Sequence, residues 1–252
     1  MKTAVVTGAA RGIGLATSRL FMEEGYQVAM VDRDGEELTK AAATLDHGQA
    51  FVADISDPEA VATLFKDVIA WSGQIDALVN NAGVADFGPI EDTSFERWRT
   101  IMATNLDGVF LCSQAATPHL KQTRGAIVNI ASISGLRAST LRVAYGTSKA
   151  GVIQLTQQQA AELGEYGIRA NAVAPGPVRT KLAMAVHSQD IIDAYHDALP
   201  LNRYGTEREI AEAIVFLASD RASFITGQTL AADGGFESTG VGLPALRKTA
   251  QD

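Results

Sequence analysis

The chain has 252 residues, of which 46% are hydrophobic and 20% are charged, a balance typical of a globular protein with one sizeable core. Its formal net charge of −8 excludes the basic stripe that a phosphate backbone requires, so no nucleic-acid partner is expected. The single cysteine, Cys112, excludes an intrachain disulfide and fits a reducing compartment, and no apolar run is long enough to cross a bilayer, so we expect a cytoplasmic protein without a membrane partner.

Short β-branched strands alternate with helical patterns along the chain. Strands are predicted at residues 3–7, 27–31, 50–53, 75–79, 126–131, 168–173 and 228–232. Helices are predicted at residues 13–24, 36–45, 57–71, 95–120, 143–163 and 206–218, the last with a capping box at Thr206 and Glu209. This alternation predicts an α/β fold in one domain spanning the chain, a doubly wound parallel sheet of seven strands with helices on both faces.

Two segments interrupt the alternation. Residues 180–203 form a connection that is longer than usual, which predicts short helices and a mobile lid over a site. Residues 240–252 have no obvious core of their own, so they are either a tail that docks on a neighbouring subunit or a loose end.

A glycine-rich turn follows the first strand. The run Thr7-Gly8-Ala9-Ala10-Arg11-Gly12-Ile13-Gly14 lets the backbone approach a diphosphate at a helix N-terminus, whose unpaired N–H groups favour an anion. The spacing differs from the usual dinucleotide fingerprint, and glycines also serve plain strand-to-helix turns. The strand–turn–helix setting nevertheless favours dinucleotide binding, with contacts at Gly8, Arg11, Gly12, Ile13 and Gly14.

Two acidic residues close the next strands. Asp32 lies about 20 residues past the glycines, where a carboxylate accepts hydrogen bonds from ribose hydroxyls and repels a 2′-phosphate, which predicts NAD rather than NADP. Arg11 and Arg33 complicate this prediction, because either side chain could bind a phosphate of the cofactor. Asp54, with the backbone of Ile55, either binds the adenine amino group or caps the following turn.

Tyr145 and Lys149 lie four residues apart in the predicted helix at 143–163, so their side chains share one face. We expect the ammonium to lower the pKa of the phenol from its ordinary value of about 10, which suits general acid–base catalysis. A surface tyrosine beside a solvated lysine is the simpler alternative.

Four features stand in one order: the glycine turn, Asn80-Asn81-Ala82-Gly83, Ser132, and Tyr145-x-x-x-Lys149. Together they resemble the short-chain dehydrogenase/reductase family, in its single-domain branch, with every catalytic position matched. The resemblance extends to about Phe236 and implies a Rossmann-like fold and a homotetramer or dimer. Asn80 is expected to join the fourth strand to its neighbours.

The resemblance implies a role for each matched residue. The implied catalytic tetrad is Asn105, Ser132, Tyr145 and Lys149, with substrate contacts from Ser132, Ser134 and Tyr145 and no metal. Asn105 would hold a water that links Lys149 to solvent, or it is a satisfied core amide. Further cofactor contacts are implied at Asn81, Ala82, Gly83, Tyr145, Lys149, Pro175, Gly176, Val178 and Thr180.

These expectations describe an NAD-dependent oxidoreductase that acts on CH–OH groups and interconverts a secondary alcohol and a ketone. A polyol, a sugar alcohol or a cyclic hydroxy compound is the expected substrate, selected by Ser134, Gly135 and Leu136 and by residues 84–88 and 180–203. One alternative is an NADPH-dependent 3-oxoacyl-[acyl-carrier-protein] reductase, against which the acidic charge and Asp32 both count. Another is a non-catalytic dinucleotide-sensing protein, because a fold does not dictate a function.

Overall fold

The computed structural model describes residues 1–240, with the side chains at positions 182 and 186 excepted, and these residues build a sheet of seven strands. The strands are β1 (Thr3–Thr7), β2 (Gln27–Asp32), β3 (Gly48–Val52), β4 (Ala77–Asn80), β5 (Ala126–Ile130), β6 (Arg169–Pro175) and β7 (Thr229–Ala232). Their order is β3-β2-β1-β4-β5-β6-β7, and every neighbouring pair is parallel. The predicted fold class is confirmed.

Helices connect the strands on both faces of the sheet. They are α1 (Gly12–Glu23), α2 (Gly35–Ala42), α3 (Pro58–Ser72), α4 (Phe95–Met102), α5 (Gly108–Thr123), α6 (Ile133–Leu136), α7 (Val143–Leu163), α8 (Lys181–Val186), α9 (Gln189–Ala198) and α10 (Glu207–Ala218). The predicted helix at residues 95–120 is instead two helices joined by a π-helical turn, Ala103–Asp107. The predicted short helices within residues 180–203 are α8 and α9.

The central strands are buried on both faces, as their unbroken apolar sequences require. One core cluster packs residues of α1 and α10, such as Leu20 and Ile214, against the sheet. The other packs α3 and α5 on the opposite face through Leu64 and Leu120, and it includes the fully buried Cys112. The strand order reverses between β1 and β4, so the connections that leave these two strands run to opposite faces of the sheet. The carboxyl ends of β1 and β4 therefore border an open crevice.

A buried amide network supports the strands beneath this crevice. Asn80 donates to the Oδ1 of Asn129 at 2.8 Å, so β4 and β5 are joined as the sequence predicts. Asn129 in turn donates to Thr156 and Gln159 of α7 at 2.9 and 2.8 Å. The helix that carries Tyr145 and Lys149 is therefore fixed to the sheet by hydrogen bonds as well as by apolar packing.

At the far end of the chain, the predicted capping box at Thr206 and Glu209 is present at the start of α10. The predicted tail at residues 240–252 lies outside the described residues, apart from Gly240. Among the helices described, none combines the length and the apolar character needed to cross a bilayer.

Candidate active site

A cavity of about 620 Å³ lies at the carboxyl ends of the strands. It brings together the predicted site residues of the glycine turn, the strand ends, α7 and the loop after β6. Of the residues predicted to catalyse the reaction or to contact the cofactor or the substrate, Gly14 and Asn105 do not line the cavity, and both lie next to residues that do. The predicted cofactor-binding residues and the predicted catalytic residues therefore border one cavity.

The glycine turn is shaped by close backbone contacts. A Cβ at Gly8, whose φ is +66°, would lie 2.8 Å from the Cα of Ala82, and a Cβ at Gly14 would lie 2.1 Å from the carbonyl oxygen of Gly8. A Cβ at Gly12, with φ of +61°, would approach only Glu207, at 3.8 Å. The N-terminus of α1 lines the cavity at Gly12 and Ile13, and the N–H groups of a helix N-terminus fit a diphosphate.

Thr7 and Asn81 fasten this turn to β4. The Thr7 hydroxyl oxygen accepts the N–H groups of Asn81 and Ala82, both at 3.0 Å. The Asn81 side-chain amide donates to the carbonyl oxygens of Thr7 and Gly8 at 2.9 and 3.2 Å. Asn81 therefore lines the cavity while its side-chain donors stabilise the turn.

Asp32 is held by backbone donors at the end of β2. Its two carboxylate oxygens accept the N–H groups of Ala10 at 3.1 Å and of Asp34 at 3.0 Å. Arg11 forms an ion pair with Asp34, and Arg33 is exposed at the cavity edge. Arg11 and Arg33 were both considered as partners for a cofactor phosphate, and of these two Arg11 is already paired with an acid.

Asp54 caps a turn and also lines the cavity. Its Oδ1 accepts the hydroxyl and the N–H of Ser56 at 2.7 and 2.9 Å, which caps the turn after β3. The hydrogen bond from the Ser56 hydroxyl holds the pKa of Asp54 below its usual range. The residue also lines the cavity beside Ile55, where an adenine amino group is expected.

Ser132 is oriented by the short helix that it caps. Its Oγ accepts the N–H of Ser134 at 3.1 Å, which leaves the hydroxyl hydrogen available for a partner in the cavity. Gly135 brings α6 close to α7, since a Cβ there would lie 2.7 Å from the carbonyl carbon of Lys149. Ser132 is thereby held beside Tyr145.

Lys149 is buried, with 4% of its surface exposed, and its Nζ donates to the carbonyl oxygen of Ile130 at 2.7 Å. Burial lowers the pKa of Lys149 from 10.5 to about 8. The Nζ lies 5.8 Å from the ring centroid of Tyr145. The two side chains converge as the helical spacing predicts, and the ammonium is oriented by a backbone carbonyl.

The predicted lowering of the Tyr145 pKa by Lys149 is wrong. Burial raises the pKa of Tyr145, while the Ser132 hydroxyl and the Arg142 charge act in the opposite direction with smaller effect. The reason is that loss of water around the phenolate outweighs its polar neighbours. Lys149, directed at Ile130, contributes no lowering.

Asn105 lies in the π-helical turn behind the cavity. Its amide accepts the N–H of Val84 at 2.8 Å and donates to the Val84 carbonyl at 2.9 Å and to Ser148 at 3.1 Å. The side chain is therefore a satisfied core amide that fastens the loop after β4 to α7. Its expected link to a water beside Lys149 stays a prediction.

The loop after β6 borders the far side of the cavity through Pro175, Gly176, Val178 and Thr180. Gly176 is required by packing, because a Cβ there would lie 2.7 Å from the Cα of Asp233. The Thr180 hydroxyl oxygen accepts the N–H of Ala183 at 3.1 Å and caps α8. Its hydroxyl hydrogen remains available to an amide oxygen such as that of a nicotinamide.

Sequence reasoning missed Arg142, a cationic residue of the cavity, and gave no individual role to Lys181 or to three aromatic residues. Arg142 was missed, although it precedes Tyr145 by one helical turn, a spacing that could have found it. Phe87, His187 and Tyr195 lie in segments that were predicted to select the substrate, and all three line the cavity. Two residues predicted to do so, Gly135 and Leu136, do not line it.

Comparison with known proteins gives consistent relatives over almost the whole chain. A family model described as "Enoyl-(Acyl carrier protein) reductase" matches residues 8–237. The chain is 40% identical to a meso-2,3-butanediol dehydrogenase from Serratia marcescens, covering 93% of this chain and 94% of that protein. It is 39% identical to the 3-oxoacyl-[acyl-carrier-protein] reductase FabG of Staphylococcus epidermidis, covering 93% and 98%. The crystal structure of gox2181 superposes with a TM-score of 0.92 at 35% identity, covering 94% and 96%.

Proposed function

The chain belongs to the short-chain dehydrogenase/reductase family of NAD(P)-dependent oxidoreductases, and from this premise we propose that it uses NAD to interconvert a secondary alcohol and a ketone. The proposed substrate is a small polar or cyclic hydroxy compound, such as a polyol or a sugar alcohol. The relative named as a meso-2,3-butanediol dehydrogenase supports a small alcohol carrying more than one hydroxyl.

The residues of the cavity fit a dinucleotide. The N–H groups at the start of α1, which lines the cavity, suit its diphosphate, and the fixed carboxylate of Asp32 suits the ribose hydroxyls of NAD. A 2′-phosphate in the same place would face that carboxylate, which supports NAD over NADP. A bound nicotinamide supplies the hydride chemistry.

Three side chains carry the remaining chemistry. Tyr145 exchanges the proton of the substrate hydroxyl, and the hydroxyl hydrogen of Ser132 holds the substrate oxygen as negative charge develops. Lys149 provides buried positive charge and a hydrogen-bond donor for a ribose hydroxyl. The observation that carries this proposal is that Ser132, Tyr145 and Lys149 line the same cavity as Asp32. A protein that only senses dinucleotide has no use for that arrangement.

The 3-oxoacyl-[acyl-carrier-protein] reductase activity is a second candidate, because the Staphylococcus epidermidis relative is 39% identical over 93% of this chain. Initial rates with NADH and NADPH on an acetoacetyl thioester and on a panel of small hydroxy ketones separate the two. We expect turnover of the hydroxy ketones with a preference for NADH. A strong NADPH preference with rapid thioester reduction would replace the first proposal with the second.

We further propose a twofold-symmetric homotetramer or dimer in the cytoplasm. Phe95 of α4 and Phe110 of α5 are 77% and 49% exposed, which supports an interface along these helices. Light scattering of the purified protein tests this, with a monomer at micromolar concentration as the contrary result.

A further inference from the structure

The two ends of the cavity differ in charge. The carboxylates that line it, Asp32, Asp34 and Asp54, belong to the ends of β2 and β3, where the adenosine of a dinucleotide is proposed to bind. At the reacting end lies Arg142, whose Cζ is 5.3 Å from the ring centroid of Tyr145. The substrate therefore enters a space bordered by cationic side chains, Arg142 together with Lys149 and Lys181, and by none of these carboxylates.

Arg142 is in contact with aromatic rings rather than with an acid. Its Cζ lies 4.1 Å from the ring centroid of Phe87. Within the described part of the chain, no carboxylate oxygen lies within 4.0 Å of its nitrogens, whereas Arg97 and Arg203 each bind one. A guanidinium stacked on a ring keeps its N–H edge free, and that edge matches the two oxygens of a carboxylate.

The backbone holds Arg142 in this position. Leu141, immediately before it, adopts a left-handed conformation with φ of +61°, which is unfavourable for a residue with a Cβ. The Leu141 carbonyl oxygen accepts the N–H of Gly88 at 3.0 Å, and Gly88 forms a β-bridge with Arg142. The loop after β4 thus fixes both Phe87 and the residue that stacks on it.

We propose that Arg142 binds a carboxylate of the substrate, so that the small polar hydroxy compound proposed above is a short hydroxy acid rather than a neutral polyol, and the ketone is the corresponding keto acid. This inference rests on the function proposed above for Tyr145. In the oxidation, a bound NAD would accept the hydrogen of the carbinol carbon together with two electrons, and the hydroxyl proton would pass to the ionised form of Tyr145. A C=O bond forms, and the carboxylate on Arg142 is unchanged.

Neighbouring groups suit the same ligand. His187 lines the cavity, and its Nδ1 lies 2.9 Å from the hydroxyl oxygen of Tyr204. Burial, and secondarily the charge of Arg142, lower the pKa of His187, so a neutral imidazole adds hydrogen bonding without adding charge. Tyr195 stacks on His187 at a centroid distance of 5.7 Å and also lines the cavity. The carboxylate would thus be bound by Arg142 within a polar, partly aromatic pocket that Lys149 and Lys181 also line.

The first test compares acids with their neutral methyl esters. Lactate and methyl lactate probe a 2-hydroxy acid, and 3-hydroxybutyrate and its methyl ester probe a 3-hydroxy acid. We expect wild type to prefer the acid of at least one pair, and Arg142→Gln to lower the acid-to-ester ratio of kcat/KM by about 10- to 100-fold, the size expected when a charged hydrogen bond is lost. Arg142→Lys should recover part of this ratio.

Arg19→Gln is the matched control, because Arg19 is exposed on α1 and does not line the cavity. It removes the same charge, and its acid-to-ester ratio should stay within about twofold of wild type. An equal fall in Arg19→Gln would show that overall charge, and not the position of Arg142, sets the preference.

The second test measures binding of malonate, an unreactive short carboxylate, by calorimetry. We expect binding to wild type and at least about tenfold weaker binding to Arg142→Gln. Equal malonate binding by both proteins, or a wild-type preference for esters and neutral diols, would overturn the proposal for Arg142. Failure of the proposed function is a separate result, in which no compound, charged or neutral, is turned over with either dinucleotide.

Discussion

The buried ammonium of Lys149 should impose a measurable pH dependence on the stability of the protein. Its pKa is about 8 in the folded chain against an ordinary value of 10.5. Between these values the unfolded chain binds a proton that the folded chain does not, so raising the pH stabilises the folded state. From about pH 7.5 to about pH 9.5 this group alone should raise the free energy of unfolding by about 2 kcal/mol.

The assay is urea denaturation at several pH values across that interval, for wild type and for Lys149→Met. Methionine keeps the length of the side chain without its charge, so the variant should lack this increase. Loss of the hydrogen bond to the Ile130 carbonyl destabilises the variant by a similar amount at each pH and cancels in the comparison of slopes.

Lys66→Met is the matched control, because Lys66 is exposed on α3. Its stability should follow the slope of wild type across the interval. Equal slopes for wild type and Lys149→Met would refute the reasoning, because the folded chain would then bind a proton at Lys149 as readily as the unfolded chain.

Three further predictions address the proposed dinucleotide site and the fold. Gly14→Ala places a Cβ 2.1 Å from the Gly8 carbonyl oxygen, so it should lower the free energy of unfolding by about 1–3 kcal/mol and weaken NADH binding in a fluorescence titration. Gly164→Ala is the control: its Cβ meets open space, so neither the free energy of unfolding nor NADH binding should change. Asp32→Ser removes the carboxylate that would face a 2′-phosphate, so the kcat/KM ratio of NADPH to NADH should rise at least about tenfold, and an unchanged ratio would contradict the role of Asp32. Thr206→Ala removes the N-cap of α10 and should cost about 1 kcal/mol in urea denaturation, with Thr206→Ser restoring most of the loss.

The architecture could be predicted from the sequence because it depends on local patterns. Apolar runs that end in glycine or aspartate predict strands, and helical spacing predicts the connecting helices, so a parallel sheet of seven strands with helices on both faces followed. The predicted helix at residues 95–120 is instead interrupted by the π-helical turn that contains Asn105, whose partners Val84 and Ser148 are distant in sequence. Helical periodicity contains no information about such contacts.

At the site, too, local patterns could be predicted from the sequence and properties of the folded chain could not. The spacing of Tyr145 and Lys149 correctly placed both side chains at one cavity, but spacing reveals neither burial nor the direction of an ammonium. The pKa of Tyr145 was therefore predicted with the wrong sign. Arg142 escaped notice because its significance depends on Phe87 and on the lack of a nearby acid in the described residues, which are properties of the folded chain.

The role of the Tyr145 phenol is tested most directly by Tyr145→Phe, which removes the hydroxyl and keeps the ring that packs in the cavity. Turnover and NADH affinity are measured on the same preparations, using the best substrate of the wild-type panel. We predict a fall in kcat of about 10²- to 10⁴-fold, the size of an acid–base contribution, with NADH still bound. A variant that retains near-normal turnover would contradict the account, because the proton of the substrate hydroxyl would then pass by another route.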